Sequence, residues 1–316
     1  MNELNTFTST GCKLIHHLDV VKKLKEESRA TPVSIQVAPT SRCNLNCVFC
    51  SNINRSKHED LDTDRLIAFM EEFRCLGTKT IEWTGGGDPT MYEGINAVIY
   101  KAARLGLKQG MITNGVALSK NVKPESLKRL AWLRISMNCL DYIHDDIDIP
   151  NINGTLGFSY VVNEKTDSVI FDRLKKYIDK FKPAYVRVVP NCQESDEEQK
   201  ENNIVLSELV EELGPPFFYQ PKIFKKPNAC YWGYLKPFIL HDGYVYPCSS
   251  VVLNQNADRS FHEKYRWVHM DNLSWIYRHE VAMSPFPTEN CGHCVFEAQN
   301  DLVGSLIHPS GMEDFI

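Results

Sequence analysis

Cys43-Asn44-Leu45-Asn46-Cys47-Val48-Phe49-Cys50 places three thiols within eight residues, and the reading of that loop decides how the rest of the chain is read. Thiolates this close can hold an iron-sulfur cluster. A 4Fe-4S cube has an iron at each of its four corners, and electron-transfer clusters of that type usually take four cysteines. Three cysteines leave one corner open for a bound molecule, which points to chemistry. A structural zinc loop also takes clustered thiolates, so the loop by itself leaves two readings.

The chain of 316 residues is long enough to bury a full-sized core, as one large α/β domain with an appendage or as two modules. A net charge of -5 gives no bulk attraction to nucleic acid or to an anionic membrane. The amino terminus, Met1-Asn2-Glu3-Leu4-Asn5, lacks a basic region followed by an apolar core, and no apolar run approaches a membrane span. A cytoplasmic protein without membrane contact is expected. Eleven cysteines in a large leaderless chain, most at metal-like spacings, point to metal ligation rather than disulfides.

Leu14, Leu18, Val21 and Leu24 recur at helical spacing, so a short amphipathic helix precedes the main domain. With only about thirty residues ahead of the first strand, there is too little chain there for a separate peptide-binding domain. Val33 to Ala38 alternates as a strand and delivers the chain into the cysteine loop. Strands at Thr80 to Thr84, Gln109 to Thr113, Leu133 to Met137, Gly157 to Val162 and Tyr185 to Val189 then alternate with helical segments, among them 124–131 and 168–181. The helix between the fourth and fifth strands is short or irregular. Six strands with intervening helices imply a parallel sheet with right-handed crossovers, closed as a barrel or open as a doubly wound sheet. In either case chemistry gathers at the carboxyl ends of the strands, where the cysteine loop, Gly85-Gly86-Gly87, Thr113-Asn114-Gly115, Asn138, Asn163 and Asn191 all fall. Residues 193–203 read as a solvated loop or linker, a helix follows, and Pro215-Pro216 breaks the chain.

The last hundred or so residues carry a second thiol set, Cys230, Cys248, Cys291 and Cys294. Phe238 to Cys248 reads as two strands around an Asp242-Gly243 turn, which returns Cys248 towards Cys230. Four thiols suffice to close a metal site, and on spacing alone zinc and an iron-sulfur cluster are equal candidates.

Cys-x3-Cys-x2-Cys with Phe49 before its last cysteine resembles the radical S-adenosylmethionine superfamily, and Cys230-x12-Gly243-x4-Cys248 followed by Cys291-x2-Cys294 resembles the twitch form of its auxiliary-cluster appendages. The resemblance covers nearly the whole chain from residue 33. It implies a partial (β/α)6 TIM-like barrel at 31–215 with a helical extension at 1–30 and a twitch-like auxiliary 4Fe-4S domain at 216–316. Cys43, Cys47 and Cys50 would hold one 4Fe-4S cluster, and Cys230, Cys248, Cys291 and Cys294 a second. Contacts to S-adenosylmethionine are implied for Phe49 against the adenine, for Gly85, Gly86, Gly87 and Asp88 around the methionine amino group, and for Ser136 and Asn138 around the ribose and carboxylate. Asp88 stands where the family more often has Glu, and Asn138 where Asp is commoner. Arg187 is a further candidate for cofactor or substrate, because it projects a charge from an otherwise apolar strand. The implied chemistry is reductive cleavage of the cofactor and hydrogen-atom abstraction from a substrate, with net oxidation of a small molecule as the leading outcome. The auxiliary cluster would then accept an electron. A peptide or protein maturase, and a redox-neutral rearrangement of a small molecule or nucleoside, are the alternatives. An external one-electron donor such as flavodoxin or ferredoxin is implied.

Overall fold

The alternation read from the sequence becomes a run of six parallel strands: β1 Ser34–Val37, β2 Thr80–Trp83, β3 Lys108–Thr113, β4 Trp132–Ser136, β5 Thr155–Val161 and β6 Tyr185–Val189. Each pairs in parallel with the next in chain order. The computed structural model describes residues 6–221, 224–253, 259–279, 283–289, 291, 294–312 and 314. The stretch Met1 to Asn5, read above for a leader, lies outside them. Among the described residues no helix is long and apolar enough to cross a membrane.

The sheet extends past both ends of that run. β7, Phe217–Tyr219, adds in parallel to β6, and β8, Phe238–Ile239, adds in parallel to β1. An antiparallel pair continues from β8 through β9, Tyr244–Tyr246, to β10, Val268–His269. The ten strands therefore run β10-β9-β8-β1-β2-β3-β4-β5-β6-β7, with β7 and β10 as free edges, and the architecture is a partial TIM-like barrel. The Asp242-Gly243 turn sits between β8 and β9 as expected, with Gly243 at φ +80° in the left-handed region that glycine enters without strain.

Strand periodicity sorts the side chains. In β4, Leu133 and Ile135 join the core under the outer helices, whereas Trp132 and Arg134 line the barrel interior. The outer layer includes helices Thr63–Cys75, Ile95–Arg104 and Ser168–Phe181, which bury Phe73, Ile99 and Leu174 respectively. Asp62 caps the first by accepting from the Arg65 N–H, and Gly77 and Gly106, both at positive φ, follow the first two.

Three expectations change. The helix expected at 124–131 is reduced to the turn Pro124–Leu127, because by Ala131 the chain is already pairing with β3, the Ala131 N–H donating to Gln109 O at 2.7 Å. The amino-terminal helix splits into a 3-10 turn, Gly11–His16, and an α-helix, Leu18–Glu27. The polar stretch 193–203 is no linker: from Asp196 it is the first part of one helix, Asp196–Leu213. Ser195 and Glu198 form a reciprocal capping box there, which satisfies two orphan N–H groups and starts a helix that composition alone does not suggest.

Aromatics seal the barrel at the amino ends of the strands. Gly110 in β3 faces Trp132 and Gly157 in β5 faces Tyr185, so close that an added Cβ would fall 2.0 Å and 2.1 Å from those rings. Phe7 stacks on Tyr185 with ring centroids 4.3 Å apart. Gly157→Ala should therefore lower the thermal unfolding midpoint, at a cost of roughly 1–3 kcal/mol. Gly304→Ala, in the Glu297–Ile307 helix with nothing within 4 Å, should raise it by about 0.5–1 kcal/mol. Calorimetry on both variants checks the pair, and an unchanged midpoint for Gly157→Ala would contradict the packing.

Candidate active site

Two loops at the carboxyl ends of β1 and β2 are zipped together by their backbones. The N–H of Gly87 donates to Thr40 O and that of Asp88 to Arg42 O, each at 2.8 Å. A Cβ on Gly87 would lie 2.0 Å from Arg42 O, so only glycine allows this approach. Asn52, two residues past Cys50, donates from Nδ2 to Gly86 O at 2.7 Å. The cysteine loop and the glycine loop are thus one unit.

Within it Cys43, Cys47 and Cys50 are all partly buried and free. The Cys50 N–H donates to Cys47 O at 3.1 Å, closing the turn between the last two. The Val48 N–H donates to Tyr142 Oη at 2.9 Å, which anchors the loop to the β4–β5 connection. Burial, followed by the mutual repulsion of the three thiolates, pushes Cys47 up to about 12. Burial also raises Cys43. The Leu45 N–H and the charge of Arg55 oppose the shift at Cys43; Arg55 Nη1 lies 3.6 Å from Cys50 Sγ and Asn114 Nδ2 lies 3.7 Å from Cys43 Sγ. Three thiols gathered on one partly buried loop beside a cation suit a polynuclear iron centre that neutralises them.

The second set shares that character. Burial, then the charges of Cys248, Cys294 and Cys291, raises the Cys230 thiol, and burial pushes Cys248 up to about 12. Backbone donors meet the sulfurs: Ser250 and Val251 at Cys248, Trp232 at Cys230, and the Phe296 N–H 3.3 Å from Cys294 Sγ. The Cys291-x2-Cys294 turn is held by Cys291 N–H to Thr288 O at 3.0 Å and Cys294 N–H to Lys225 O at 2.9 Å; residues 292 and 293 between them lie outside the described residues. Among the described residues, no three His, Cys, Asp or Glu side chains converge closely enough to grip a single metal ion. A cube asks less of the side chains, because each thiolate serves its own iron.

A cavity of about 730 Å³ is lined by residues adjacent to both sets: Ser51, next to Cys50, and Ser249 and Val295, next to Cys248 and Cys294. The barrel wall contributes Gln36, Glu82, Arg134 and Arg187. Glu82 accepts from Lys236 Nζ at 2.8 Å and from Gln36 Nε2 at 2.9 Å. Leaving either charge of that buried pair without the other costs about 3–5 kcal/mol.

The structure places the expected contacts unequally. Gly85 is half-exposed and Gly86 buried, with its would-be Cβ 2.8 Å from His241 Cδ2. Phe49 is half-buried within the loop. Ser136 ends β4 opposite Ser159 of β5. Asp88 points inward: its carboxylate accepts from Thr90 N at 2.9 Å, Thr90 Oγ1 at 2.6 Å, Thr113 Oγ1 at 2.8 Å and Asn114 N at 2.7 Å. Asn138 is likewise spent, with Nδ2 donating to Val161 O and Asp141 Oδ2 and Oδ1 accepting from Val161 N. Both side chains fix loops. Arg187 faces the cavity, where burial first and the charge of Arg134 second pull its guanidinium down to about 9. Sequence reading passed over Glu82, Arg134, Lys236, Arg55 and Tyr142. For Glu82 and Arg134 the signal was available, since each is a charge at an inward position of an apolar strand, as Arg187 is.

Residues 37–201, just over half the chain, match the family described as the Radical SAM superfamily. The GTP 3',8-cyclase of Thermodesulfovibrio yellowstonii (strain ATCC 51303 / DSM 11347 / YP87) is 32% identical over 115 residues, 34% of this chain and 35% of that protein. The PqqA peptide cyclase of Gluconobacter oxydans (strain 621H) is 33% identical over 113 residues, 35% of this chain and 31% of that protein. The chain thus spans about a third of the length of these relatives. Streptococcus suis SuiB bound to S-adenosylmethionine superposes with a TM-score of 0.56 at 14% identity, over 84% of this chain and 70% of that one. Native anSMEcpe with bound AdoMet and Cp18Cys peptide gives 0.52 at 14% identity, over 85% and 88%. These likenesses show the fold.

Two full cubes on seven thiols would bring about eight irons per chain after anaerobic reconstitution. Replacing Cys43, Cys47 and Cys50 together by Ala should halve the iron and the associated visible absorbance. A colourless wild-type protein carrying zinc instead would contradict the assignment.

Proposed function

The chain belongs to the radical S-adenosylmethionine superfamily, and on that premise we propose that it cleaves S-adenosylmethionine reductively and abstracts a hydrogen atom from a small molecule, in a net oxidation. One observation carries this reading: a single polar cavity touches residues adjacent to both thiol sets. A substrate in it would lie between a cluster able to bind cofactor and one able to take an electron. When bound, the cofactor and the two clusters supply one-electron cleavage to methionine and a 5'-deoxyadenosyl radical, and an acceptor for the substrate's second electron.

The chain's own residues bind, orient and enclose. Cys43, Cys47 and Cys50 would hold the first 4Fe-4S cluster, and Cys230, Cys248, Cys291 and Cys294 the auxiliary one, in a twitch-like portion at 216–316 that follows the barrel at 31–215 and the extension at 1–30. Phe49, Gly85 to Gly87 and Ser136 would frame S-adenosylmethionine, while Asp88 and Asn138 position the loops that do so. The electron would come from a donor such as flavodoxin or ferredoxin. Four thiolates leave no corner of the second cluster for substrate, which favours an electron-accepting role over substrate binding. A redox-neutral rearrangement is the second reading, favoured by the likeness to GTP 3',8-cyclases. Peptide modification is supported by the likeness to a PqqA peptide cyclase, but a cavity of about 730 Å³ suits a small molecule or one side chain better than a peptide.

With reductant and S-adenosylmethionine, the wild-type protein should release 5'-deoxyadenosine, and Cys43→Ala should abolish the release. Replacing Cys291 and Cys294 by Ala should stop product formation while 5'-deoxyadenosine is still made, with circular dichroism confirming a folded protein. A folded double variant that turns substrate over at the wild-type rate would overturn the oxidation reading in favour of rearrangement.

A further inference from the structure

The charge lining the cavity is opposite in sign to the charge of the chain. Among its described lining residues only Glu82 is acidic, against Lys13, Arg134, Arg187 and Lys236, in a protein of net charge -5. Glu82 is already neutralised by Lys236 at 2.8 Å. Lys13 donates to the carbonyls of Thr6 and Thr8 at 3.2 Å and 2.7 Å. Arg134 donates from Nε to Tyr185 Oη at 3.0 Å and from Nη2 to Phe7 O at 2.9 Å. None of those acceptors carries a negative charge.

Arg187, half-buried in the cavity wall, differs from the other three cations. Its Nε is buried without a hydrogen-bond partner, and among the described residues no carboxylate lies within ion-pair reach of it. A structural arginine in this chain looks otherwise: Arg173 donates to the carbonyls of Leu140, Ile143 and His144. Gln220, on the same cavity beyond β7, also has a buried Oε1 without a partner. Burying a guanidinium nitrogen without a partner is costly, and an anion on Arg187 would offset that cost.

We propose that Arg187, with Arg134 beside it, receives an anionic oxygen group of the substrate, a phosphate or a carboxylate, in the barrel interior. A planar guanidinium fork matches both groups and fixes orientation as well as charge. Depth separates this group from the cofactor: Arg187 is the middle residue of β6, one inward-facing layer below Val189 at the strand's carboxyl end, whereas the cysteine and glycine loops lie at the ends of β1 and β2. The excess of positive charge would draw the anion down into the barrel and leave the rest of the molecule nearer the open iron. This substrate class rests on the proposed radical chemistry, but the anion site itself is testable without it.

Binding of inorganic pyrophosphate and of glutarate, at matched ionic strength, should be measured by calorimetry on the anaerobic cluster-loaded protein. Saturable binding of one of them is expected, pyrophosphate indicating a phosphate-bearing substrate and glutarate a carboxylate. Arg187→Gln should weaken that binding roughly ten- to a hundredfold. Arg187→Lys, which keeps the charge and loses the fork, should weaken it less and also serves if the Gln variant does not fold. Arg104→Gln, on an exposed helical position, should bind as wild type. If neither anion binds the wild type saturably, or Arg187→Gln binds as well as wild type, the proposal is overturned. Competition between S-adenosylmethionine and the anion would also overturn it, by assigning Arg187 to the cofactor. Release of 5'-deoxyadenosine by the wild type, measured alongside, reports on the radical reading separately.

Discussion

The pairing of the Gly87 and Asp88 N–H groups with the carbonyls of Thr40 and Arg42 is the constraint on which the site depends. It joins the loops that leave β1 and β2, and the Asp88 carboxylate extends the joint to β3 through Thr113 and Asn114. Asn114 in turn donates to Asn44 Oδ1 at 2.7 Å and lies near Cys43 Sγ, which closes the circuit back to the cysteine loop. Three strand ends and the start of the cysteine loop are therefore fixed by one network of hydrogen bonds. Each would cost about 1–3 kcal/mol to leave half-satisfied. A cluster ligated by one loop needs that rigidity, because thiolates that repel one another would otherwise drift apart before metal arrives.

The same reasoning explains why a polar barrel interior is tolerable. Inward side chains of small barrels are usually packed against one another, and here several are charged instead. Glu82 and Lys236 offset each other, with Gln36 taking the remaining carboxylate oxygen. Lys236 also donates to Ser9 Oγ at 2.8 Å, so the pair anchors the amino-terminal segment against the barrel floor. The floor itself is aromatic, with Trp132 and Tyr185 seated over glycines and Phe7 stacked on Tyr185.

Much of this was legible in the sequence, for reasons that are local. The six strands, the helix over 168–181, the Asp242-Gly243 hairpin and the two thiol sets all follow from periodicity and spacing within short windows. The first part of the helix Asp196–Leu213 was read as a loop because its signal is a cap at Ser195 and Glu198 rather than an apolar stripe. β7 and β8 were not assigned to the barrel sheet because strands of two or three residues carry no period, and their place is decided by partners far away in the chain. Asp88 and Asn138 read as ligands because they stand in motif positions at strand ends. The structure bonds Asp88 to Thr90, Thr113 and Asn114, and Asn138 to Asp141 and the end of β5 at Val161, and no local pattern distinguishes a carboxylate facing a ligand from one facing Thr113.

The least legible feature, the nearness of the two thiol sets to one cavity, follows from a single pairing. β8 lies beside β1 in parallel, with Gln36 opposite Phe238 and Val37 opposite Ile239, and the Ala38 N–H reaches Ile239 O at 2.8 Å. β1 runs into the cysteine loop, and β8 returns through Gly243 and β9 to Cys248. Neighbouring strands that point the same way deliver their following loops to the same end of the barrel. The first set must therefore stand at the strand ends where the glycine loop meets it, while the β9 return brings Cys248 beside the cavity. A substrate held there, as proposed, would be confined by barrel residues, and its orientation would be left to the charges at that level, above all to Arg187, whose Nε has no partner among the described residues.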